Sequence, residues 1–246
     1  MASYPSLQNK RVLITGGASG IGEFIVRGFC EQKARVVFFD IDAASGETLA
    51  KATGAQFVHC DLTKTDELQK AITQAATKLG DFEVLVNNAA RDDRHEVEDV
   101  TSDYWDQCVA VNLKHYFFAA QSVIPGMQAA KGGSIINMGS ITSYVGAADI
   151  PVYATAKGAC VSMTRTLAKK LGGDNIRVNA VIPGWVKTQR QIDKWITPQA
   201  EAAQIKKQVL QHWIMPVDLA NMVVFLASDE AKMCTAQVYT VDAGWM

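Results

Sequence analysis

The sequence predicts an α/β protein built on a doubly wound parallel sheet, and two observations carry that prediction. Short apolar runs alternate with longer amphipathic segments from one end of the 246-residue chain to the other. The first apolar run ends in a glycine-rich turn that opens a helix. Strands apolar on both faces and separated by helices belong to a parallel sheet covered on both sides.

The elements follow in order. A strand over 12–14 precedes a helix over 20–33, then come a strand over 36–39 and a helix over 43–53. A short strand at 57–58 and a helix over 65–79 lead to a strand at 84–86 and one long helix over about 102–128. Strand 134–138, helix 152–171 and strand 177–182 come next. Helical segments fill much of 188–227, and a strand over 238–241 closes the pattern. No Pro/Ser-rich linker, repeat or low-complexity block interrupts the chain. Residues 1–246 therefore read as a single domain, with 185–215, unusually rich in Trp and Gln, as the excursion that covers a substrate.

Composition narrows the function. With 48% apolar and 20% charged residues the chain has the makings of a large core. A net charge of −1 offers nothing to nucleic acid or an anionic membrane, so neither is an expected partner. The N-terminus lacks an apolar secretory core, and no apolar run approaches the ~18 residues that would span a bilayer. The five cysteines are scattered and odd in number, which fits reduced thiols in the cytoplasm better than disulfides or a metal site.

The turn after the first strand reads Thr15-Gly16-Gly17-Ala18-Ser19-Gly20-Ile21-Gly22. Glycines there let backbone approach a pyrophosphate, and the helix that starts here offers its free N–H groups to the anion, the Rossmann-type arrangement. Asp40, eighteen residues beyond Gly22, ends the second strand, where a carboxylate holds ribose hydroxyls and repels a 2′-phosphate. Ile41 follows it in place of an Arg, so the expected cofactor is NAD. Asp61 suits the adenine amino group or, equally, a helix cap; Asp42 is the better cap for its own helix. Asn112, a polar residue inside an apolar helical stretch, must find partners or cost about 1–3 kcal/mol.

Tyr153 and Lys157 lie one helical turn apart and so project from one face. An ammonium beside a phenol favours phenolate and lowers a pKa otherwise near ~10, which would let Tyr153 take a proton from an alcohol. Ser140, thirteen residues upstream, falls just past a strand and can face the same site.

The glycine pattern, Asn87-Asn88-Ala89, Asn112, Ser140, Tyr153-x-x-x-Lys157 and Pro183-Gly184 together resemble the short-chain dehydrogenase/reductase family over nearly the whole chain. The resemblance implies Tyr153 as acid/base, Ser140 as its substrate-orienting partner, Lys157 on the nicotinamide ribose and Asn112 in a proton relay. It implies a cofactor wall of Gly16, Ser19, Gly20, Ile21 and Gly22, Asp40 and Ile41, Asp61 and Leu62, Asn88, Ala89 and Ala90, Pro183, Gly184, Val186 and Thr188, with Tyr153 and Lys157. It also implies a homotetramer. Ala90 stands where the family usually has Gly; if that position needs positive φ the cost is around 1 kcal/mol, unless the backbone is locally shifted.

Within the family, Asp92-Asp93-Arg94-His95, the 186–191 stretch, Trp195-x-Thr197-Pro198 and the ending Asp242-Ala243-Gly244-Trp245 resemble bacterial aldose dehydrogenases. This implies oxidation of an aldopyranose such as D-xylose at C1 to the lactone. Its substrate residues would be Asp92, Arg94, His95, Ser140, Tyr144, Tyr153, Trp185, Gln189, Arg190 and Trp195. A secondary alcohol of a sugar acid or small polyol is the alternative substrate, and a non-enzymatic NAD sensor the alternative class.

Overall fold

The computed structural model describes residues 1–246. Seven strands form one sheet: β1 (Arg11–Thr15), β2 (Arg35–Asp40), β3 (Gln56–His59), β4 (Val84–Asn87), β5 (Gly133–Met138), β6 (Ile176–Pro183) and β7 (Val238–Val241). Their order is β3-β2-β1-β4-β5-β6-β7, and every neighbouring pair is parallel. The order reverses between β1 and β4, which places a ligand crevice at the carboxyl ends of those strands.

Alternation along the strands divides the core in two. Val12 and Ile14, Val36 and Phe38, Val84 and Val86 face α1 (Gly20–Glu31) and, with Ile136 and Val181, the late helix Pro216–Ala227. Leu13, Val37, Phe39, Leu85, Ile135 and Val178 face the opposite helical layer. That layer holds α3 (Thr65–Leu79), α5 (His115–Ala129) and α7 (Pro151–Leu171). Between them come α2 (Ala43–Thr53), α4 (Ser102–Val109) and the short α6 (Thr142–Val145). After β6 follow α8 (Gln189–Lys194), α9 (Pro198–Lys207) and α10, the Pro216–Ala227 helix. No helix is long and apolar enough to cross a membrane.

Two expectations from the sequence are corrected. The first helix stops at Glu31 rather than Lys33, because Lys33 adopts φ of 60° and cannot continue a right-handed helix. The single helix expected over 102–128 is two helices joined by a π-helical turn, Ala110–Lys114, centred on Asn112. That turn is where the buried amide finds its partners. The Asp42 carboxylate caps α2 as expected, accepting from Ser45 N at 3.1 Å.

Candidate active site

One cleft of about 1040 Å³ runs across the carboxyl ends of the central strands. At one end lies the glycine turn. Gly16 adopts φ of 67°, and a Cβ there would stand 2.5 Å from Ala89 Cα. A Cβ on Gly22 would meet the Gly16 carbonyl oxygen at 1.8 Å, so this helix can start against the turn only with glycine. Ser19, the N-cap of α1, makes no side-chain cap bond, which leaves the first N–H groups of the helix to an anion. The Asp40 carboxylate accepts from Ala18 N at 2.9 Å and from Asp42 N at 3.0 Å, bracing the turn from below while it lines the cleft. A glycine cradle, an uncapped helix start and a strand-end carboxylate together fit a dinucleotide. Every residue expected on the cofactor wall, from Gly16 to Thr188, lines the cleft.

Asn88 closes this end, its amide donating to Gly16 O at 2.7 Å and Thr15 O at 3.2 Å. Thr15 Oγ1 accepts from the backbone N–H groups of Asn88 and Ala89, and lies 3.3 Å from His115 Nε2. With its lone pairs occupied, the Thr15 hydroxyl donates to His115, which makes Nε2 the acceptor. Burial holds that imidazole neutral, its pKa lowered to about 3. Asp61 caps nothing: its carboxylate accepts from Thr63 N and Oγ1, and Lys64 is the N-cap of α3. Ala90 does not occupy the left-handed region, so the cost considered for a missing glycine does not arise.

At the other end stand the four residues singled out for chemistry. Pro151 starts α7 and puts Tyr153 on its first turn, packed against Cys108, Ile150 and Val152. Lys157 follows one turn later, fully buried, donating to Tyr116 Oη at 2.8 Å and to Met138 O at 2.9 Å. Ser140 Oγ accepts from Thr142 Oγ1 at 2.9 Å. Asn112 donates to Cys108 O and Arg91 O and accepts from Arg91 N, which ties the loop after β4 to the π-helical turn.

The electrostatics correct one expectation. Burial, and then the Asp92 carboxylate, push the Tyr153 phenol up; a hydrogen bond with Ser140 and the Arg94 guanidinium oppose them. Burial also lowers Lys157 to about 8. The ammonium is directed at Tyr116 and Met138 and sits 5.8 Å from the Tyr153 ring centroid. Desolvation therefore outweighs the neighbouring charge in the protein alone.

The mouth is lined by polar side chains from two segments far apart in sequence. Asp92 accepts from Arg190 Nε at 3.2 Å and Gln191 Nε2 at 2.7 Å, while Asp93 accepts from Arg190 Nη2 at 2.7 Å. Gln191 in turn accepts from Trp185 Nε1 at 2.8 Å. These bonds fasten α8 over the loop after β4. Arg94, paired with Asp149 at 2.9 Å, stacks 4.8 Å from the Trp195 ring.

Of the expected substrate residues, Asp92, Arg94, Ser140, Tyr153, Trp185, Gln189 and Arg190 line the cleft, and His95, Tyr144 and Trp195 do not. His95 is a brace. Its Nε2 accepts from Val152 N, its Nδ1 lies 3.0 Å from Asp93 O, and Tyr104 Oη completes the contact. Trp195 backs Arg94, and Tyr144 is half exposed on α6. Sequence reasoning missed Gln191, Gln204, Lys207 and Trp245 in the cleft, and Tyr116 beneath it. Trp245 carried a signal in the C-terminal Asp-Ala-Gly-Trp run; the others lie on helices whose facing only tertiary structure decides.

The sequence profile described as "Enoyl-(Acyl carrier protein) reductase" matches residues 16–246. The chain is 47% identical to a D-xylose 1-dehydrogenase of Caulobacter vibrioides, over 99% of this chain and 98% of the relative. It is 43% identical to the "Probable galactose dehydrogenase GalD" of Rhizobium meliloti, over 99% and 97%. The crystal structure of a 3-oxoacyl-[acyl-carrier protein] reductase from Brucella melitensis superposes with a TM-score of 0.91 at 30% identity, covering 99% of this chain and 94% of that one. The chain is thus an oxidoreductase that belongs to the short-chain dehydrogenase/reductase family, whose dehydrogenases use nicotinamide cofactors.

Proposed function

We propose that the protein is an NAD-dependent aldose 1-dehydrogenase that oxidises the C1 hydroxyl of a pyranose such as D-xylose to the lactone. The observation that carries this reading is the polar mouth. Asp92, Arg94, Arg190 and Gln191 offer hydrogen bonds beside the Trp185 indole, and Tyr153 opens onto the same cleft. Such a lining pairs hydroxyls and stacks on a sugar face, which a steroid or acyl chain would not use. The names of the two sugar dehydrogenases among its relatives agree with it.

A bound nicotinamide supplies the two-electron acceptor. The chain does the rest. Ser140 orients the C1 oxygen, Tyr153 accepts its proton once ionised, and Lys157 holds the ribose side of the cleft. Asn112 fixes the backbone at Arg91, so that the adjoining Asp92 keeps its place. At the far end Asp40 makes no ion pair, so a 2′-phosphate would meet an uncompensated carboxylate, which favours NAD. The segment 185–215 serves as the substrate cover. A homotetramer in the cytoplasm, assembled through the faces of α4, α5 and α7, completes the reading; exposed Trp105 and Phe117 on α4 and α5 support that assembly.

The test is a panel of aldoses, aldonates and polyols with NAD, followed by NADH absorbance. Turnover should concentrate on pentopyranoses or their close relatives. Oxidation of aldonates or open-chain polyols with aldoses inert would refute the reading.

A further inference from the structure

Tyr116 lies just past the π-helical turn, near the start of α5, and its side chain is fully buried. The hydroxyl accepts from Lys157 Nζ at 2.8 Å and donates to Met138 O at 3.0 Å. Lys157 donates to that same carbonyl at 2.9 Å, which closes a triangle of three groups beneath the cleft. The ammonium also stands 4.7 Å from the Tyr116 ring centroid. The direction of each bond follows from chemistry, since an ammonium only donates and a carbonyl only accepts.

We propose that Tyr116 is a positioning residue of the dehydrogenase site, whose hydroxyl and ring fix the Lys157 ammonium below the reacting end of the cleft and keep it charged without a carboxylate partner. This rests on the oxidoreductase reading of the cleft given above. A buried ammonium left without acceptors gives up its proton. A carboxylate would hold it but would neutralise the positive charge beneath the reacting end of the cleft. A neutral phenol and a carbonyl hold it and leave the charge in place, and one of its three N–H donors remains for the cleft. Burial pushes the Tyr116 phenol well above its ordinary value, so it stays a donor to Met138 wherever Lys157 titrates. The other groups that face Lys157 are Cys160 and Tyr153 on its own helix, Cys108 on α4, His115 on α5 and Asp92 after β4.

Tyr116→Phe tests this, because it keeps the ring and deletes only the acceptor. Activity that needs charged Lys157 falls as pH rises through its pKa. Losing one charge-assisted hydrogen bond should move that alkaline limb down by about one pH unit or more. Below the limb, the loss of turnover should be smaller than above it. NAD affinity measured by calorimetry should lose strength over the same lowered pH range. That measurement needs no substrate, so it stands or falls separately from the aldose reading. Tyr116→Gln, whose amide oxygen restores an acceptor, should return the limb toward its wild-type position. It also serves should Tyr116→Phe fail to fold. An alkaline limb and a pH dependence of NAD affinity both unmoved in Tyr116→Phe would overturn the proposal. So would a Gln variant that folds yet behaves like Phe.

Discussion

Replacing Asn112 by Ala is a sharp test of how the site is held together. The side chain is fully buried and makes three main-chain hydrogen bonds, at 2.9 Å to Cys108 O, 3.0 Å to Arg91 O and 2.9 Å from Arg91 N. Ala removes all three and leaves the Arg91 peptide groups to whatever water reaches them. At about 1 kcal/mol net per bond, and more for a group left unsatisfied, the loss is ~3 kcal/mol. For a chain of this size that corresponds to a fall in Tm of about 6–12 °C by calorimetry. Activity should suffer beyond the stability loss, because Asp92, which follows Arg91 directly, is the acceptor that fastens Arg190 and Gln191 across the mouth. We expect kcat/KM for the best aldose to fall by about tenfold at a temperature where the variant is fully folded. A Tm within about 2 °C of wild type would show that the Arg91 loop is held by other means and would refute this account.

Three further outcomes follow from the geometry. Asp40→Ala should narrow an NAD preference of at least about tenfold, chiefly by improving use of NADP, and equal wild-type efficiencies with the two cofactors would refute the role given to Asp40. His115 is held at about 3 against an unfolded value of 6.5, so the unfolded chain binds the extra proton and stability drains as pH falls below about 6.5. His115→Gln should flatten that acid limb in pH-dependent urea melts, and an unchanged slope would count against it. Tyr153→Phe should bind NAD as well as wild type while turnover drops by about 10²–10⁴-fold, and retention of more than a few per cent would sink the mechanism.

Much of the fold was legible because its signals are local. The alternating runs placed all seven strands, since a strand buried on both faces shows as an uninterrupted apolar run such as Val36-Val37-Phe38-Phe39. The glycine turn announced the cofactor end because Gly16 and Gly22 answer close backbone contacts that no other residue allows. The π-helical turn was not legible. The extra residue at Ala110–Lys114 shifts the helical phase, and the uniformly apolar run that follows, Tyr116 to Ala120, carries no periodicity to reveal the shift, yet it decides which side chains reach the site. That His95, Tyr144 and Trp195 stand outside the cleft lining was not legible for a related reason. Polar and aromatic residues near a mouth suit a brace as well as a ligand, and the hydrogen bonds that tell the two apart cross from one segment to another.

The ionisation of Tyr153 shows where a pairwise argument from sequence breaks down. A Tyr one turn from a Lys was expected to be acidic, which assumes that the charge of Lys157 outweighs the desolvation of both groups. In the folded chain desolvation wins twice, raising Tyr153 and lowering Lys157 to about 8. Each group is pushed toward neutrality, and Asp92 adds to the cost at Tyr153. Only Ser140 and Arg94 work the other way, the one as a hydrogen-bond partner and the other as a charge held in place by Asp149. The phenol of the protein alone is therefore a weaker acid than a free tyrosine. A further positive charge in the cleft would tip that balance, and an oxidised nicotinamide carries one. Such a dependence on the cofactor's charge would couple proton abstraction to the presence of a hydride acceptor. It also explains why Lys157 is held by a phenol and a carbonyl: any carboxylate there would spend the charge the site needs.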